Sequence, residues 1–155
     1  MRRKVFHPRP AVVVTGREDV DLWNEQYEKQ YLAGIDDVRQ GEVWTILEEA
    51  GILTGRVLEA GCGDGAWIKA LREMGINVHG LDFSVIGLRS LVQEYPGTPV
   101  VLADVRRLPY QDGSFDVILS WGVLEHLLDG PEATLKEAFR CLRRGGMRCT
   151  PLTGQ

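Results

Sequence analysis

The sequence predicts a doubly wound, mostly parallel α/β sheet with helices on both faces, and three observations predict it. Short strands such as Arg56–Ala60 and Pro99–Ala103 are mainly apolar, the pattern of strands buried on both faces. Amphipathic helical segments separate these strands, as a chain of strand-helix-strand units requires. Glycines cluster where the first strand passes into its helix, in Gly61-Cys62-Gly63-Asp64-Gly65.

At 155 residues the chain fits one domain with a sizeable core. Residues 1–17 carry Pro8 and Pro10 and read as an N-terminal arm, with one short strand at Ala11–Thr15. Residues 18–50 read as a helical cap segment. Within it, Trp23, Tyr27 and Tyr31 fall four apart and share one face of a helix over Asp19–Leu32. A second helix is predicted over Asp36–Ala50, with Val43, Ile46, Leu47 and Ala50 on one face and Gly51 as its cap.

Residues 51–155 hold the sheet. Strands are predicted at Arg56–Ala60, Asn77–Leu81, Pro99–Ala103 and Phe115–Ser120. Helices are predicted at Ala66–Met74, closed by Gly75, and at Ser84–Tyr95, stopped by Pro96. A last helix starts near Pro131, aligns Leu135, Ala138, Phe139 and Leu142 on one face, and ends at Gly145-Gly146.

Composition narrows the partners. A net charge of -4 gives no basic field for nucleic acid, and the Arg2-Arg3-Lys4 cluster reads as a solvated terminus. No apolar run reaches membrane-spanning length, and the short Ala11–Val14 stretch is too brief for a signal peptide. Three cysteines, an odd number, fit a reduced, cytoplasmic protein. His7, His79 and His126 with Cys62, Cys141 and Cys149 show no ligand spacing, so no metal is expected.

Ligands of open parallel sheets sit beyond the carboxyl ends of the strands, where the glycine turn lies. Gly61 allows the tight turn, Gly63 lets backbone approach a ligand, and Gly65 brings the next helix close to the strand. Such glycines can also serve packing alone. Asp82 ends the second strand, where an acid can accept from both ribose hydroxyls, or can cap the next helix together with Ser84. Asp104 ends the third strand, placed to accept from an exocyclic amine or simply to open a loop. On these residues a dinucleotide-binding oxidoreductase stays open, because Gly61 to Ala66 also satisfies a loose GxGxxA.

Later segments carry a family resemblance. Val57–Gly65 and Gly80–Ser84 resemble the first two motifs of class I S-adenosylmethionine (SAM)-dependent methyltransferases. Leu102–Val105, Leu108–Tyr110, Gly113–Ile118, Ser120–His126 and Leu142–Gly146 continue the pattern in order and spacing. The match spans about residues 43 to 150 and is nearest the small-molecule subgroup that includes quinone-biosynthesis enzymes.

The resemblance implies a Rossmann-like fold, SAM as cofactor and in-line methyl transfer to a small-molecule or lipid-like acceptor. It implies that Gly61, Gly63 and Gly65 wrap the methionine portion and that Glu59 orients its ammonium group. Asp82 would take the ribose diol, Phe83 would lie against the adenine, and Asp104 with the Val105 amide would read the adenine edge. Ser120, Trp121 and Gly122 would face the methionine end. Cys62 reads as a small filler with a backbone contact, because nothing near it in sequence lowers its pKa.

His126 is the candidate general base, although Glu125-His126 also fits a structural or substrate-lining role. Trp23, Tyr27 and Tyr31 fit a core stripe or a lid over the acceptor. The family pattern continues past the double glycine into a fifth strand, a helix and an antiparallel hairpin, whereas this chain stops at Gln155. A sheet lacking that hairpin would expose an edge, a candidate contact for a homodimer. Two functional classes follow: a methyltransferase, or a truncated SAM-binding module that acts through association.

Overall fold

A computed structural model of the chain describes residues 21, 24, 25, 38–49, 51 and 53–149. The predicted strand at Ala11–Thr15 and the stripe Trp23, Tyr27 and Tyr31 lie outside these residues. Helix α1 spans Glu42–Glu49 and buries Trp44 and Leu47. Val38 and Arg39 are helical as well, but the chain turns at Gln40 and bends at Gly41, so one predicted helix is interrupted where glycine weakens it.

Five strands follow, all parallel: β1 Arg56–Ala60, β2 Asn77–Asp82, β3 Val100–Leu102, β4 Phe115–Leu119 and β5 Leu142–Cys149. Their order in the sheet is β3-β2-β1-β4-β5. The order reverses direction at β1, and its neighbours β2 and β4 leave a crevice at their carboxyl ends. Helix α2 (Ala66–Glu73) links β1 to β2, and α3 (Val85–Glu94) links β2 to β3. Helix α4 (Glu132–Cys141) runs directly into β5.

Alternation along the strands builds two cores. Val57, Val78, Val117 and Leu119 face one side, packing with Trp44, Leu47, Ile68, Leu71 and Leu91. Leu58, Leu81 and Ile118 face the other, packing with Val105, Leu108, Ala138 and Cys141. Both faces are therefore covered, which is why the strands read as apolar runs.

The last helix departs from its predicted shape. It ends at Cys141, and Leu142 opens β5 instead of continuing the helical face. Gly145 and Gly146 do not terminate a helix. They sit where β5 swings away from β4, since Leu142 pairs with Phe115 but Met147 pairs with Val117. A side chain at Gly146 would stand 2.9 Å from the Asp116 carbonyl oxygen, so only glycine lets the strands approach there. Phe139 is 66% exposed, and the buried stripe runs through Thr134, Ala138 and Cys141. At the opposite edge, Leu102 of the short β3 is 57% exposed.

Candidate functional site at the carboxyl ends of the strands

The turn between β1 and α2 is built on backbone hydrogen bonds. Gly61 and Cys62 both donate to the Leu81 carbonyl, at 2.7 and 3.0 Å, and Gly65 donates to the Cys62 carbonyl at 2.8 Å. Gly61 has φ +87° and Gly65 has φ +79°, in the left-handed region that other residues adopt only with strain. Side chains would collide at both positions: a Cβ on Gly61 would lie 2.2 Å from Val123 Cγ2, and one on Gly65 would lie 2.5 Å from Leu91 Cδ1. The two glycines thus bring the turn against the segment after β4 and bring α2 against α3.

Asp82 joins this turn to the next helix. Its Oδ2 accepts from the Gly63 amide at 2.8 Å and its Oδ1 from the Ser84 amide at 2.7 Å. The cap of α3 is Ser84, whose Oγ accepts from the Gly87 amide at 3.1 Å and donates to Asn24 Oδ1 at 2.7 Å. Asn24 therefore reaches this end of the sheet. Phe83, half-buried, lies between these anchors.

Three carboxyl groups gather in the buried interior here. Glu59, at the end of β1, is 3% exposed, and Asp64 and Asp82 are buried with it. Burial and then the nearby Asp82 charge push the Glu59 carboxyl well above its ordinary range. Burial also raises Asp64, against the opposing pull of Lys69, and raises Asp82 against the amides of Ser84, Gly63 and Phe83. Glu59 Oε2 and Asp64 Oδ2 have no hydrogen-bond partner. Lys69 is committed elsewhere, paired with Glu94 and set 5.7 Å from the Tyr95 ring centre. Cys62 is buried, and burial followed by the Glu59 charge pushes its thiol well up, which leaves it unreactive.

Beyond β4, Ser120 Oγ donates to the Ala60 carbonyl at 3.1 Å and so bridges the ends of β4 and β1. Trp121 stacks on Trp67, with ring centres 5.0 Å apart, and Trp44 lies 5.7 Å beyond Trp67. Trp121 Nε1 is buried without a partner. Gly122 is exposed with φ +64°, and His126 closes the short 3-10 turn Leu124–His126, half-buried.

Asp104 begins the loop after β3. Its partial burial raises the carboxyl, but hydrogen bonds from Arg106 outweigh this and hold it below the usual range. Arg106 meets it through Nη2 at 2.6 Å and Nε at 3.0 Å, and reaches Asp129 at 3.4 Å. The Val105 side chain is buried in the second core. Val123 and Trp67 were not among the expected site residues; the glycine at 61 is the signal that a bulky partner lies over the turn.

Among the described residues, no group of three or more His, Cys, Asp or Glu is arranged to hold a metal ion, and no helix is long and apolar enough to cross a membrane.

Comparison with known proteins places this architecture. A family model described as a methyltransferase domain matches residues 58–149, more than half of the chain. A probable SAM-dependent methyltransferase of Mycolicibacterium smegmatis is 35% identical over 91 residues, covering 59% of this chain and 35% of the relative. A ubiquinone biosynthesis O-methyltransferase of Pseudomonas aeruginosa is 30% identical over 132 residues, covering 80% of this chain and 54% of the relative. The chain thus spans about a third to a half of the length of these relatives. A solved structure of a SAM-dependent methyltransferase homologue from Methanococcus maripaludis superposes with a TM-score of 0.66 at 22% identity. That match covers 90% of this chain and 66% of the other, and it speaks for the fold.

Proposed function

Because the chain belongs to the class I SAM-dependent methyltransferase family, we propose that the Glu59–Gly65 turn binds SAM for methyl transfer to a small-molecule or lipid-like acceptor. The buried acidic cluster beside the turn carries this reading. Glu59 Oε2 and Asp64 Oδ2 lack partners, and a buried carboxylate is costly unless a cation meets it. SAM brings an ammonium and a sulfonium to that place. The pyrophosphate of a dinucleotide would bring negative charge against three carboxyl groups, which argues against the oxidoreductase reading of the glycines.

In this reading Glu59 holds the ammonium group, while Gly61, Gly63 and Gly65 pass behind the methionine portion with Cys62 as filler. Asp82 takes the ribose diol and keeps its two amide bonds, since an ionised carboxylate has about four acceptor positions. Phe83 lies against the adenine, Asp104 and the Val105 amide read its edge, and Ser120, Trp121 and Gly122 face the methionine end. Bound SAM supplies a methyl group already activated by positive sulfur. The residues of the chain orient the two reactants and keep water out. His126 is the side chain assigned to take a proton from an acceptor hydroxyl.

The likeness to a quinone-pathway O-methyltransferase supports a small, lipid-like acceptor. The test is SAM affinity by calorimetry together with turnover on a panel of hydroxylated small acceptors. Binding with turnover is the expected result. Binding without turnover on any acceptor supports the non-catalytic module instead. Protection from thermal unfolding by NADH, but not by SAM or S-adenosylhomocysteine, overturns the reading.

A further inference from the structure

The loop that carries Asp104 and Val105 is gripped from below by two side chains of α4. Asp104 and Arg107 close a turn through an amide-to-carbonyl bond of 3.0 Å, and Leu108 follows immediately. Both backbone groups of Leu108 are held by α4: its amide donates to Glu137 Oε2 at 2.8 Å, and its carbonyl accepts from Arg140 Nη2 at 2.9 Å. Arg140 Nη1 extends the grip to the Tyr110 carbonyl at 2.7 Å and to Asp112 at 2.9 Å. The two side chains also hold each other, at 2.9 Å through Arg140 Nε and 2.8 Å through Nη2.

We propose that Arg140 and Glu137 are positioning residues that fix the 104–108 loop for reading the adenine edge. Loop backbone has no sheet partner of its own here, so its placement depends on whatever satisfies its amides and carbonyls. A guanidinium fork and a carboxylate supply complementary donors and acceptors in fixed geometry, which a lysine cannot reproduce. An arginine that only braced the surface would have needed one acid partner. This one spends donors on two backbone carbonyls of one loop, those of Leu108 and Tyr110, and its partner Glu137 takes the Leu108 amide. Hydrogen bonds from Arg140 hold the Glu137 carboxyl below its ordinary range, so the pair stays charged across neutral pH.

The proposal rests on the assignment of Asp104 and Val105 to the adenine, and the experiment separates the two. Affinities for S-adenosylhomocysteine and for its hypoxanthine counterpart, S-inosylhomocysteine, are measured on the full chain by calorimetry. Asp104 accepting from the exocyclic amine predicts that wild type prefers the adenine compound by about tenfold or more. Arg140→Lys and the milder Glu137→Gln are expected to weaken binding of the adenine compound and to pull that preference toward unity. Leu47→Ala, in the core on the opposite face of the sheet, is the control: it lowers the melting temperature and leaves the preference intact. Wild-type preference retained in full by both α4 variants overturns the positioning role while the adenine assignment stands. Equal affinity of wild type for the two compounds overturns the adenine assignment itself, and the positioning role with it.

Discussion

Asp82, the last residue of β2, accepts the Gly63 amide at 2.8 Å, so the second strand holds in place the turn that follows the first. Its other oxygen takes the Ser84 amide at 2.7 Å, which sets the start of α3. An asparagine there would turn its NH2 group toward one of two N–H donors and leave that donor buried and unpaired. Asp82→Asn is therefore expected to lower stability by about 1–3 kcal/mol and to weaken SAM binding by about tenfold or more. Denaturant unfolding and calorimetry measure the two effects, and unchanged affinity would detach Asp82 from the ribose.

Gly61 faces two separate penalties if it gains a side chain. Its φ of +87° strains any other residue, and the new Cβ would overlap Val123 Cγ2. Gly61→Ala is expected to cost about 2–3 kcal/mol in chemical denaturation. Adding Val123→Ala relieves the overlap but not the backbone strain, so the pair should cost less than the sum of the singles while about 1 kcal/mol of strain persists. Strict additivity would mean that the turn and the post-β4 segment do not touch.

Glu59 is expected to make stability and SAM binding respond to pH in opposite directions. Its carboxyl, buried and beside Asp82, titrates well above the ordinary range in the folded chain. As pH rises past that ordinary range, the unfolded chain releases the proton and the folded chain keeps it. The unfolded state then binds fewer protons, so stability of the ligand-free protein falls with rising pH until the folded pKa is passed. If Glu59 holds the ammonium group of SAM, binding requires the ionised carboxylate, and affinity is expected to rise over the same window. Glu59→Gln should flatten both profiles relative to wild type, in thermal melts and in calorimetric titrations across pH. Parallel slopes for the two proteins would remove Glu59 from this account.

Much of this was legible in the chain because strand alternation and glycine placement are local signals. The strands β1, β2 and β4, the helix ends at Gly75 and Tyr95, and the turn at Gly61–Gly65 all follow from periodicity and from glycine in left-handed backbone. The end of α4 did not, because Gly145-Gly146 has the composition of a helix cap and the geometry of a strand bulge, and only the neighbouring β4 distinguishes them. Phe139 misled for a related reason. A helical face is judged by its largest apolar residues, yet the sheet accepts Thr134, Ala138 and Cys141, whose smaller side chains let the helix sit close. In the site, the grip of Arg140 and Glu137 on Leu108 joins residues 29 and 32 apart in sequence, and no local pattern encodes such a contact. The Trp67–Trp121 stack is equally long-range.

Trp121 offers a test that separates packing from ligand contact. Its ring stacks on Trp67 at 5.0 Å with an interplanar angle of 25°, while its Nε1 is buried without a partner. Phenylalanine keeps a stacked ring and removes the unpaired donor, so the lost apolar area and the relieved desolvation oppose each other. Trp121→Phe is expected to change stability by less than about 1 kcal/mol. Trp67→Ala, which deletes the ring beneath it, should cost about 2 kcal/mol or more. If Nε1 serves a ligand at the methionine end, Trp121→Phe weakens SAM binding severalfold at nearly constant stability. A proportionate loss of stability and affinity would instead assign the tryptophan to packing alone, and the unpaired donor would then be a cost that packing in the Trp44, Trp67 and Trp121 cluster outweighs.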